Sequence, residues 1–275
     1  MKSQADEATQ FRDRHRGPGA LVLPNAWDVA SARIFEDAGF PAIATTSAGI
    51  AFSLGYPDGQ RIPREEMFAR IARIARAVKV PVTADVEGGY GSSNEDVANT
   101  TRELILAGAV GMNLEDASGD PDQPLIDLAI AAEKIAAARG AAAELQVPIV
   151  VNARTDVYLL PAGDSAGQYP EALRRLIAYR DAGADCVFAP GLKDAATIAR
   201  LVRDVQCPLN ILAVPGTPPI PELEKLGVAR VSLGSGPMRA TLGLLRRVAD
   251  ELKATGTYGA LDSAVPYADV NKLLD

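Results

Sequence analysis

Two carboxylates, Asp85 and Glu87, follow directly on a β-rich apolar run that begins at Val80. Side chains two residues apart on a strand point to the same face, so both are predicted to project together from the carboxyl end of a strand. Three glycines within the next four residues allow backbone or a ligand to come close. Such carboxylates suit a hard divalent cation such as Mg²⁺, which takes oxygen ligands and keeps several waters. The alternative is an acidic strand-to-helix loop that binds nothing.

Polar groups also end three other apolar runs of the chain. One run leads into a small turn, Thr46 to Ala48, whose amides and hydroxyls are predicted to bind a carboxylate. Glu115 and Arg154 end two later runs, and Asp58 follows the turn. Because several acids, one arginine and a small turn all stand at strand ends, we interpret them as one site.

Each of these residues has a predicted role. The predicted Mg²⁺ ligands, some direct and some through water, are Asp58, Asp85, Glu87 and Glu115. The predicted substrate-binding residues are Thr46, Ser47, Ala48, Asp85 and Arg154, the arginine by a forked contact. The predicted catalytic residues are Arg154, Glu115 and Tyr56, with Tyr90 a further candidate for proton transfer. In the structural alternative, Arg154 only pairs with Glu115 or Asp156, and Thr46 and Ser47 only cap a turn.

Eight short apolar runs alternate with longer helical patterns, and this alternation predicts the elements that position the site. The runs are 20–24, 42–46, 80–85, 111–115, 148–154, 185–189, 209–214 and 229–233. Eight βα units in roughly 250 residues are typical of a (β/α)₈ TIM barrel, with its active site at the carboxyl ends of the strands. A doubly wound sheet is the alternative, but it normally has fewer strands.

The chain shows no linker, so we predict a single barrel domain over residues 1–275. A polar N-terminal segment, about residues 1–16, is predicted to form a helix outside the main fold. A C-terminal tail, about residues 255–275, carries two short apolar patches and is a candidate for packing on a neighbouring subunit.

Composition narrows the partners and the location. The chain has 275 residues, 48% of them hydrophobic, a net charge of −7 and a pI near 4.9. No nucleic-acid partner is expected of an acidic chain without a basic patch, and no apolar stretch is long enough to predict a membrane span. The polar N-terminus predicts no signal peptide, so a cytoplasmic protein is expected. The single histidine, His15, is predicted to be solvated, and Cys186 and Cys207 to be buried free thiols.

Four motifs resemble, in order and spacing, those of the isocitrate lyase/phosphoenolpyruvate mutase superfamily. They are Thr45-Thr-Ser47, Ala84-Asp-Val-Glu-Gly-Gly-Tyr-Gly91, Asn113-Leu-Glu-Asp116 and Asn152-Ala-Arg-Thr-Asp156. The resemblance covers about residues 21 to 233. It implies a barrel whose last helix is swapped between subunits of a dimer or tetramer. It also implies Mg²⁺, or Mn²⁺ in its place, near the four carboxylates, with Asp85 the direct ligand and the oxo acid beside Arg154.

The chain departs from the lyases of this superfamily in the loop after the fourth strand. Isocitrate and methylisocitrate lyases carry there a Lys-Lys/Arg-Cys-Gly-His run whose cysteine is thought to be the acid. Residues 116–124 of this chain contain no cysteine, lysine or histidine, and Glu87 stands where an aspartate is more usual. The chain therefore resembles a methylisocitrate lyase-like member that lacks the Cys-bearing gating loop.

These observations favour a Mg²⁺-dependent carbon–carbon lyase that acts on a 2-oxo acid or its aldol-type adduct through a metal-stabilised enolate. Its two forms are cleavage of a methylisocitrate-like 2-hydroxy acid and decarboxylation of an oxaloacetate-like acid. Decarboxylation depends less on the missing proton donor, because water can supply the proton. One alternative is carbon–phosphorus chemistry on phosphonopyruvate, which a loop without cationic residues disfavours. The other is a 2-oxo acid-binding protein with weak turnover.

Overall fold

Nine parallel strands form a single sheet that curls into a nearly closed barrel in the computed structural model, which describes residues 3–160 and 165–275. The strands are β1 Leu21–Leu23, β2 Asn25–Ala26, β3 Ile43–Thr45, β4 Val82–Asp85, β5 Gly111–Glu115, β6 Val150–Arg154, β7 Cys186–Phe188, β8 Leu209–Leu212 and β9 Arg230–Ser232. Their order is β1-β9-β8-β7-β6-β5-β4-β3-β2. The predicted TIM barrel is confirmed, and each of the eight predicted runs contains a strand.

The ninth strand arises because the first apolar run is divided at Pro24. Proline has no amide hydrogen, so it interrupts the ladder of a strand. β1, before the proline, pairs with β9, and β2, after it, pairs with β3. These two short strands together occupy one of eight strand positions and join the first part of the barrel to the last.

Helices follow the strands and cover the outside of the barrel. They are α2 Val29–Asp37, α3 Ser47–Ser53, α4 Arg64–Ala77, α5 Asn94–Leu106, α6 Leu128–Glu144, α7 Ser165–Asp181, α8 Ala195–Val205 and α9 Ile220–Lys225. Several begin at a side-chain cap: Asp28, Ser93 and Asp194 each accept a hydrogen bond from an amide of the first helical turn. These capped units place the carboxyl ends of all strands on one rim.

A further helix, α1 (Gln4–Arg14), closes the amino end of the barrel, and the prediction that it lies outside the main fold is wrong. Phe11 is fully buried against Gly111 of β5, where a Cβ atom would lie 2.9 Å from the phenyl ring. Arg12 forms an ion pair with Asp185 at 2.9 Å. The helix is mostly polar because only one narrow face, with Ala8 and Phe11, meets the barrel.

His15 caps the end of α1 and is buried, with 4% of its surface exposed, so the prediction of a solvated histidine is wrong. Its Nδ1 lies 2.9 Å from the Phe11 carbonyl, which can only accept, so Nδ1 carries the hydrogen and Nε2 is an acceptor. Nε2 lies 3.5 Å from Nη1 of Arg230. Burial, and then the Arg230 charge, lowers the pKa of His15 to about 3. The ring is therefore neutral at pH 7.

The last elements lie apart from the barrel wall. α10 (Gly236–Thr255) buries Met238 alone, and its leucines Leu242, Leu245 and Leu252 are 43%, 62% and 49% exposed. A 3-10 turn over Gly259–Leu261 and α11 (Tyr267–Leu274) follow, and α11 contacts α2 of the same chain. None of the helices in the described part of the chain combines the length and apolar character that a membrane crossing requires.

Candidate active site

A cavity of about 200 Å³ opens at the rim formed by the carboxyl ends of the strands. Six predicted site residues line it: Thr46, Ser47, Ala48, Asp58, Asp85 and Arg154. Three others, Glu87, Glu115 and Tyr56, stand behind the lining or beside it. The cavity continues into the barrel, past residues that the sequence reasoning left out of the site: Asn25, Asn113, Asn152, Asn210, Arg230 and Ser232.

Asp85 is the most firmly held acid of the cavity. Its Oδ2 accepts hydrogen bonds from the amide and the hydroxyl of Ser47, at 3.1 and 2.8 Å. Its Oδ1 accepts from Nδ2 of Asn113 at 2.9 Å, and Asn113 in turn accepts from Asn152 at 2.9 Å. These three residues are in register on β4, β5 and β6. The ladder fixes the carboxylate in one orientation.

The small turn after β3 is largely satisfied by its own neighbours. Thr46 caps α3, and its Oγ1 accepts from the Gly49 amide at 3.2 Å. The Ser47 amide and hydroxyl both donate to Asp85. Thr46 therefore caps the helix, as its structural alternative predicted, and it also lines the cavity. The turn serves mainly to orient Asp85. It can still bind a ligand through its cavity-lining hydroxyls and the amide of Ala48.

Arg154 makes the ion pairs that were predicted as its structural alternative. Nη1 lies 2.7 Å from Glu115, and Nε and Nη2 donate to the two oxygens of Asp156 at 2.5 and 2.8 Å. Burial alone would lower the pKa of Arg154, but the Glu115 and Asp156 charges raise it above its ordinary value. The guanidinium also lies over the Phe188 ring at 6.0 Å. It still lines the cavity, so it can contact a ligand from a fixed position.

Glu87 does not follow the strand, so the strand alternation from which its position was predicted does not apply to it. β4 ends at Asp85, and Glu87 has a left-handed backbone with φ +51. Its carboxylate accepts from the Gln60 amide at 2.5 Å. Burial, and then the charges of Asp85 and Asp58, raise the pKa of Glu87 to about 7.

The glycine loop that carries Glu87 is held from below by a buried lysine. Nζ of Lys134, on α6, donates to the carbonyls of Gly88 and Gly91 at 3.1 and 3.0 Å. The side chain is 6% exposed. This lysine appears in no sequence motif of the site, because its partners are backbone atoms that only the packing of α6 brings within reach.

Tyr56 and Asp58 lie on the segment between α3 and α4, and the structure separates them. The Tyr56 hydroxyl donates to Glu66 at 3.0 Å, which raises the pKa of Tyr56 and turns it away from the cavity. Asp58 lines the cavity rim, where partial desolvation and then the charge of Asp85 raise its pKa. Tyr90 lies 3.5 Å from Glu87, behind the cavity wall.

A second buried network fixes the loops beside the site. Asp116 accepts hydrogen bonds from the Thr155 hydroxyl at 2.7 Å, the Asp156 amide at 2.9 Å and the Tyr179 hydroxyl at 2.5 Å. Arg175 adds an ion pair at 3.2 Å. The loop that follows folds back through an antiparallel bridge between Ala117 and Leu125. This closed turn lines no part of the cavity.

The mouth of the cavity carries an excess of negative charge. We call Asp58, Asp85, Glu87, Glu115, Asp156 and Arg154 the mouth cluster; it contains five carboxylates and one cation. In the described residues, no three His, Cys, Asp or Glu side chains converge as a chelating set. All donors are oxygens, which fits a hydrated Mg²⁺ held by one or two carboxylates and by waters, and does not fit a closed cage. The structure therefore does not bring the four predicted carboxylates together as one set of direct ligands.

The described residues that line the cavity include no cysteine, histidine, lysine or tyrosine. Cys186 and Cys207 are free thiols, as predicted, but only Cys186 is fully buried, because Cys207 lies ahead of β8 and stays partly exposed. Burial raises the pKa of Cys186 to about 12 and that of Cys207 to about 11. Neither lines the cavity. The polar side chains that line the cavity are thus carboxylates, amides, hydroxyls and two arginines.

Comparison with known proteins gives one family model, described as phosphoenolpyruvate phosphomutase, which matches residues 11–253. A functionally uncharacterised protein of Mycobacterium tuberculosis H37Rv is 40% identical over 265 residues, which cover 96% of this chain and 95% of that protein. Oxaloacetate decarboxylase 2 of Pseudomonas fluorescens is 28% identical, with 94% and 88% covered. The 2-methylisocitrate lyase of Bacillus subtilis is 28% identical, with 94% and 85% covered.

Solved structures agree with these matches. A candidate lyase/mutase from Burkholderia cenocepacia J2315 superposes with a TM-score of 0.92 at 44% identity, with 98% of this chain and 95% of that one covered. A 2,3-dimethylmalate lyase superposes with a TM-score of 0.84 at 29% identity, with 98% and 94% covered. The similarity extends over the whole barrel in each case.

Proposed function

Since this chain belongs to the phosphoenolpyruvate phosphomutase family, whose members among its relatives include carbon–carbon lyases, we propose that it is a Mg²⁺-dependent lyase that decarboxylates a short 2-oxo acid of the oxaloacetate type. In this reaction the bond between C3 and the C4 carboxylate breaks. Its electron pair moves to C3 and forms an enolate with the 2-oxo group, and CO₂ leaves. Water then delivers a proton to C3.

The composition of the cavity lining carries this proposal. Cleavage of a 2-hydroxy acid adduct needs a base for the hydroxyl proton and an acid for the departing carbanion. The described lining residues offer no cysteine, histidine, lysine or tyrosine for either task. Decarboxylation needs neither group before the bond breaks, and solvent can supply the later proton. The enolate charge is what remains to be stabilised.

The residues of the mouth cluster have separate tasks in this proposal. Asp85, with water and with Asp58 or Glu87 behind it, would hold Mg²⁺, and the ion would supply the positive charge that stabilises an enolate. The Ser47 and Asn113 hydrogen bonds keep Asp85 in one orientation. Arg154, fixed by Glu115 and Asp156, presents an immobile guanidinium edge toward the carboxylate of the oxo acid.

The test is a direct assay of purified protein with oxaloacetate and Mg²⁺, with pyruvate and CO₂ measured separately against a blank that contains Mg²⁺ alone. We expect both products in equal amounts, and a return to the blank rate with a chelator. Methylisocitrate, assayed for pyruvate and succinate, and phosphonopyruvate, assayed for phosphate, complete the comparison. A rate with oxaloacetate no higher than the Mg²⁺ blank contradicts the proposal.

We further propose that α10 packs on a second copy of this chain, as the family resemblance implies. Three leucines on this helix, Leu242, Leu245 and Leu252, are exposed, and burying such side chains is favourable by about 1.5–3 kcal/mol each. Light scattering should therefore give the mass of a dimer or tetramer. A monomer mass at micromolar concentration contradicts the swap.

A further inference from the structure

The inner end of the cavity contains a buried arginine that the mouth cluster does not use. Arg230 and Ser232 both lie on β9, two residues apart, so they share one face of the strand. Both line the cavity, together with Asn210 of the neighbouring strand. Arg230 is 2% exposed. We call Arg230, Asn210 and Ser232 the floor group.

The Arg230 guanidinium has no carboxylate partner among the described residues. Its Nη1 lies 3.5 Å from Nε2 of His15, and its Nε has no hydrogen-bond partner. His15 is neutral, because its Nδ1 hydrogen is donated to the Phe11 carbonyl and its Nε2 is an acceptor. It can therefore orient the guanidinium without neutralising it. Although burial lowers the pKa of Arg230 to about 10, the side chain remains cationic at pH 7.

The other buried or half-buried arginines near the barrel interior differ from Arg230. Arg12, Arg154 and Arg175 each lie within 3.2 Å of an aspartate or glutamate. Burying a charge without a partner costs several kcal/mol, so a chain that keeps Arg230 inside its cavity leaves a place for an anion. The favoured occupant is one that arrives with the substrate.

The surroundings of Arg230 are polar and match an oxyanion. Nδ2 of Asn210 donates to the Ser232 hydroxyl at 3.2 Å, and that hydroxyl donates back to Oδ1 of Asn210 at 3.3 Å, so the second amide hydrogen of Asn210 is left for a ligand. The Thr83 hydroxyl lines the same cavity, has no hydrogen-bond partner and can donate to an oxyanion, whereas the Asn152 amide oxygen, also without a partner, can only accept and suits a water. Such unsatisfied buried groups call for a ligand or ordered water.

We propose that the floor group binds a second carboxylate of the substrate, so that this enzyme selects a dicarboxylic 2-oxo acid over a monocarboxylic one. This inference rests on the proposed function, in which the first carboxylate and the oxo group occupy the mouth. A cavity of about 200 Å³ suits a short diacid better than a larger ligand, for which pockets of roughly 300–1,000 Å³ are typical.

The reaction itself predicts what kind of binding the floor provides. The carboxylate that leaves as CO₂ loses its charge as the bond breaks. Arg230 therefore stabilises the bound substrate more than the transition state, which lowers KM without raising kcat. The arginine selects the substrate, and the mouth cluster serves the chemistry.

The test uses two inert ligands that differ only in the second carboxylate, (S)-malate and (S)-lactate, with Mg²⁺ and isothermal calorimetry. We expect the wild-type protein to bind malate at least about tenfold more tightly than lactate, as one hydrogen-bonded charge contact of roughly 1.5–3 kcal/mol implies. Arg230→Gln should remove this preference and leave lactate affinity within about twofold. It should also raise the KM for oxaloacetate about tenfold, with kcat unchanged or higher.

Three further variants separate recognition from structural effects. Ser232→Ala should reduce the malate preference in part, and Arg230→Lys should retain part of it. Arg12 is a cation beneath the same floor, but it pairs with Asp185 and does not line the cavity. Arg12→Gln should therefore change the affinity for neither malate nor lactate. Circular dichroism and thermal unfolding check that each variant folds.

The outcomes distinguish the two proposals. Equal affinity of the wild-type protein for malate and lactate overturns the floor subsite. An equal loss of affinity for both ligands in Arg230→Gln also overturns it, because that result would indicate that Arg230 has a structural role or contacts ordered water. If malate is preferred through Arg230 but oxaloacetate is not turned over, the subsite stands and the proposed reaction fails.

Discussion

The mouth and the floor of the same cavity have opposite electrostatic deficits. The mouth cluster gathers five carboxylates around one arginine, which is already paired with two of them. The floor holds one arginine that forms no ion pair among the described residues, with a neutral histidine below it. The mouth therefore lacks positive charge and the floor lacks negative charge. A substrate with a carboxylate at each end, bound together with a divalent cation, satisfies both deficits at once.

The largest expected effect comes from removing the charge of Asp85 at the mouth. Asp85→Asn keeps the shape and most hydrogen bonds of Asp85 but removes its charge. Mg²⁺-dependent turnover should fall by more than about 100-fold, since even outer partners of metal ligands are worth roughly 10–100-fold. Lactate binding should lose its dependence on Mg²⁺ in calorimetry.

The matched control is Asp194→Asn, which changes a cap at the surface of α8, far from the cavity. Its turnover should equal that of the wild-type protein. Full Mg²⁺-dependent binding by Asp85→Asn would show that the cation does not depend on this carboxylate, and the charge deficit of the mouth would need another explanation.

The second effect concerns the stability of the folded protein at acid pH, through His15 below the floor. His15 gains its proton near pH 6.5 when unfolded but only near pH 3 when folded, so the folded state binds fewer protons between these values and loses stability as the pH falls. The loss reaches about 3 kcal/mol at pH 4. Denaturant unfolding at pH 7 and pH 4 should show a smaller difference for His15→Gln than for the wild-type protein. Equal differences would indicate that His15 protonates freely.

The third effect has the opposite sign and belongs to the mouth. The Glu87 carboxyl loses its proton near pH 4.5 when unfolded and near pH 7 when folded, so its contribution to stability falls as the pH rises between these values and stays low above them. In the presence of a chelator, Glu87→Gln should be more stable than the wild-type protein by about 3 kcal/mol at pH 8, and no more stable at pH 4.

Thermal unfolding at the two pH values measures the Glu87 effect. The surface carboxylate variant Glu133→Gln is the control, because Glu133 lies on the exposed side of α6 and should show no such pH dependence. If Glu87→Gln and the wild-type protein have the same stability at both pH values, the mouth does not destabilise the ionised Glu87 carboxylate.

The barrel and half of its site were predictable because both follow from local patterns. Eight apolar runs and their helices specify the barrel, and residues at strand ends must meet at its rim; hence Asp85, Arg154 and the turn around Ser47 all line the cavity. Glu87 was misplaced because its position was deduced from strand alternation, while a left-handed residue takes the chain out of the strand.

The floor group could not be recognised from spacing alone. Asn210 and Arg230 occur within apolar runs and could equally point outward or inward, and their polarity is the one signal that they face an interior cavity. His15 shows the same limit more strongly. Its neighbours in sequence are charged, and nothing in that segment indicates that the helix ends inside the barrel.

The sequence by itself determined the strands, the helices, the acids at the rim and the absence of a cysteine-bearing loop, because each depends on residue type and short-range spacing. The tertiary structure decided which carboxylates face the cavity, which are paired with Arg154, and that a lone cation lies at the floor. Those facts depend on the closure of the barrel and on the packing of α1 beneath it. Closure brings together residues that are more than 200 positions apart, such as His15 and Arg230.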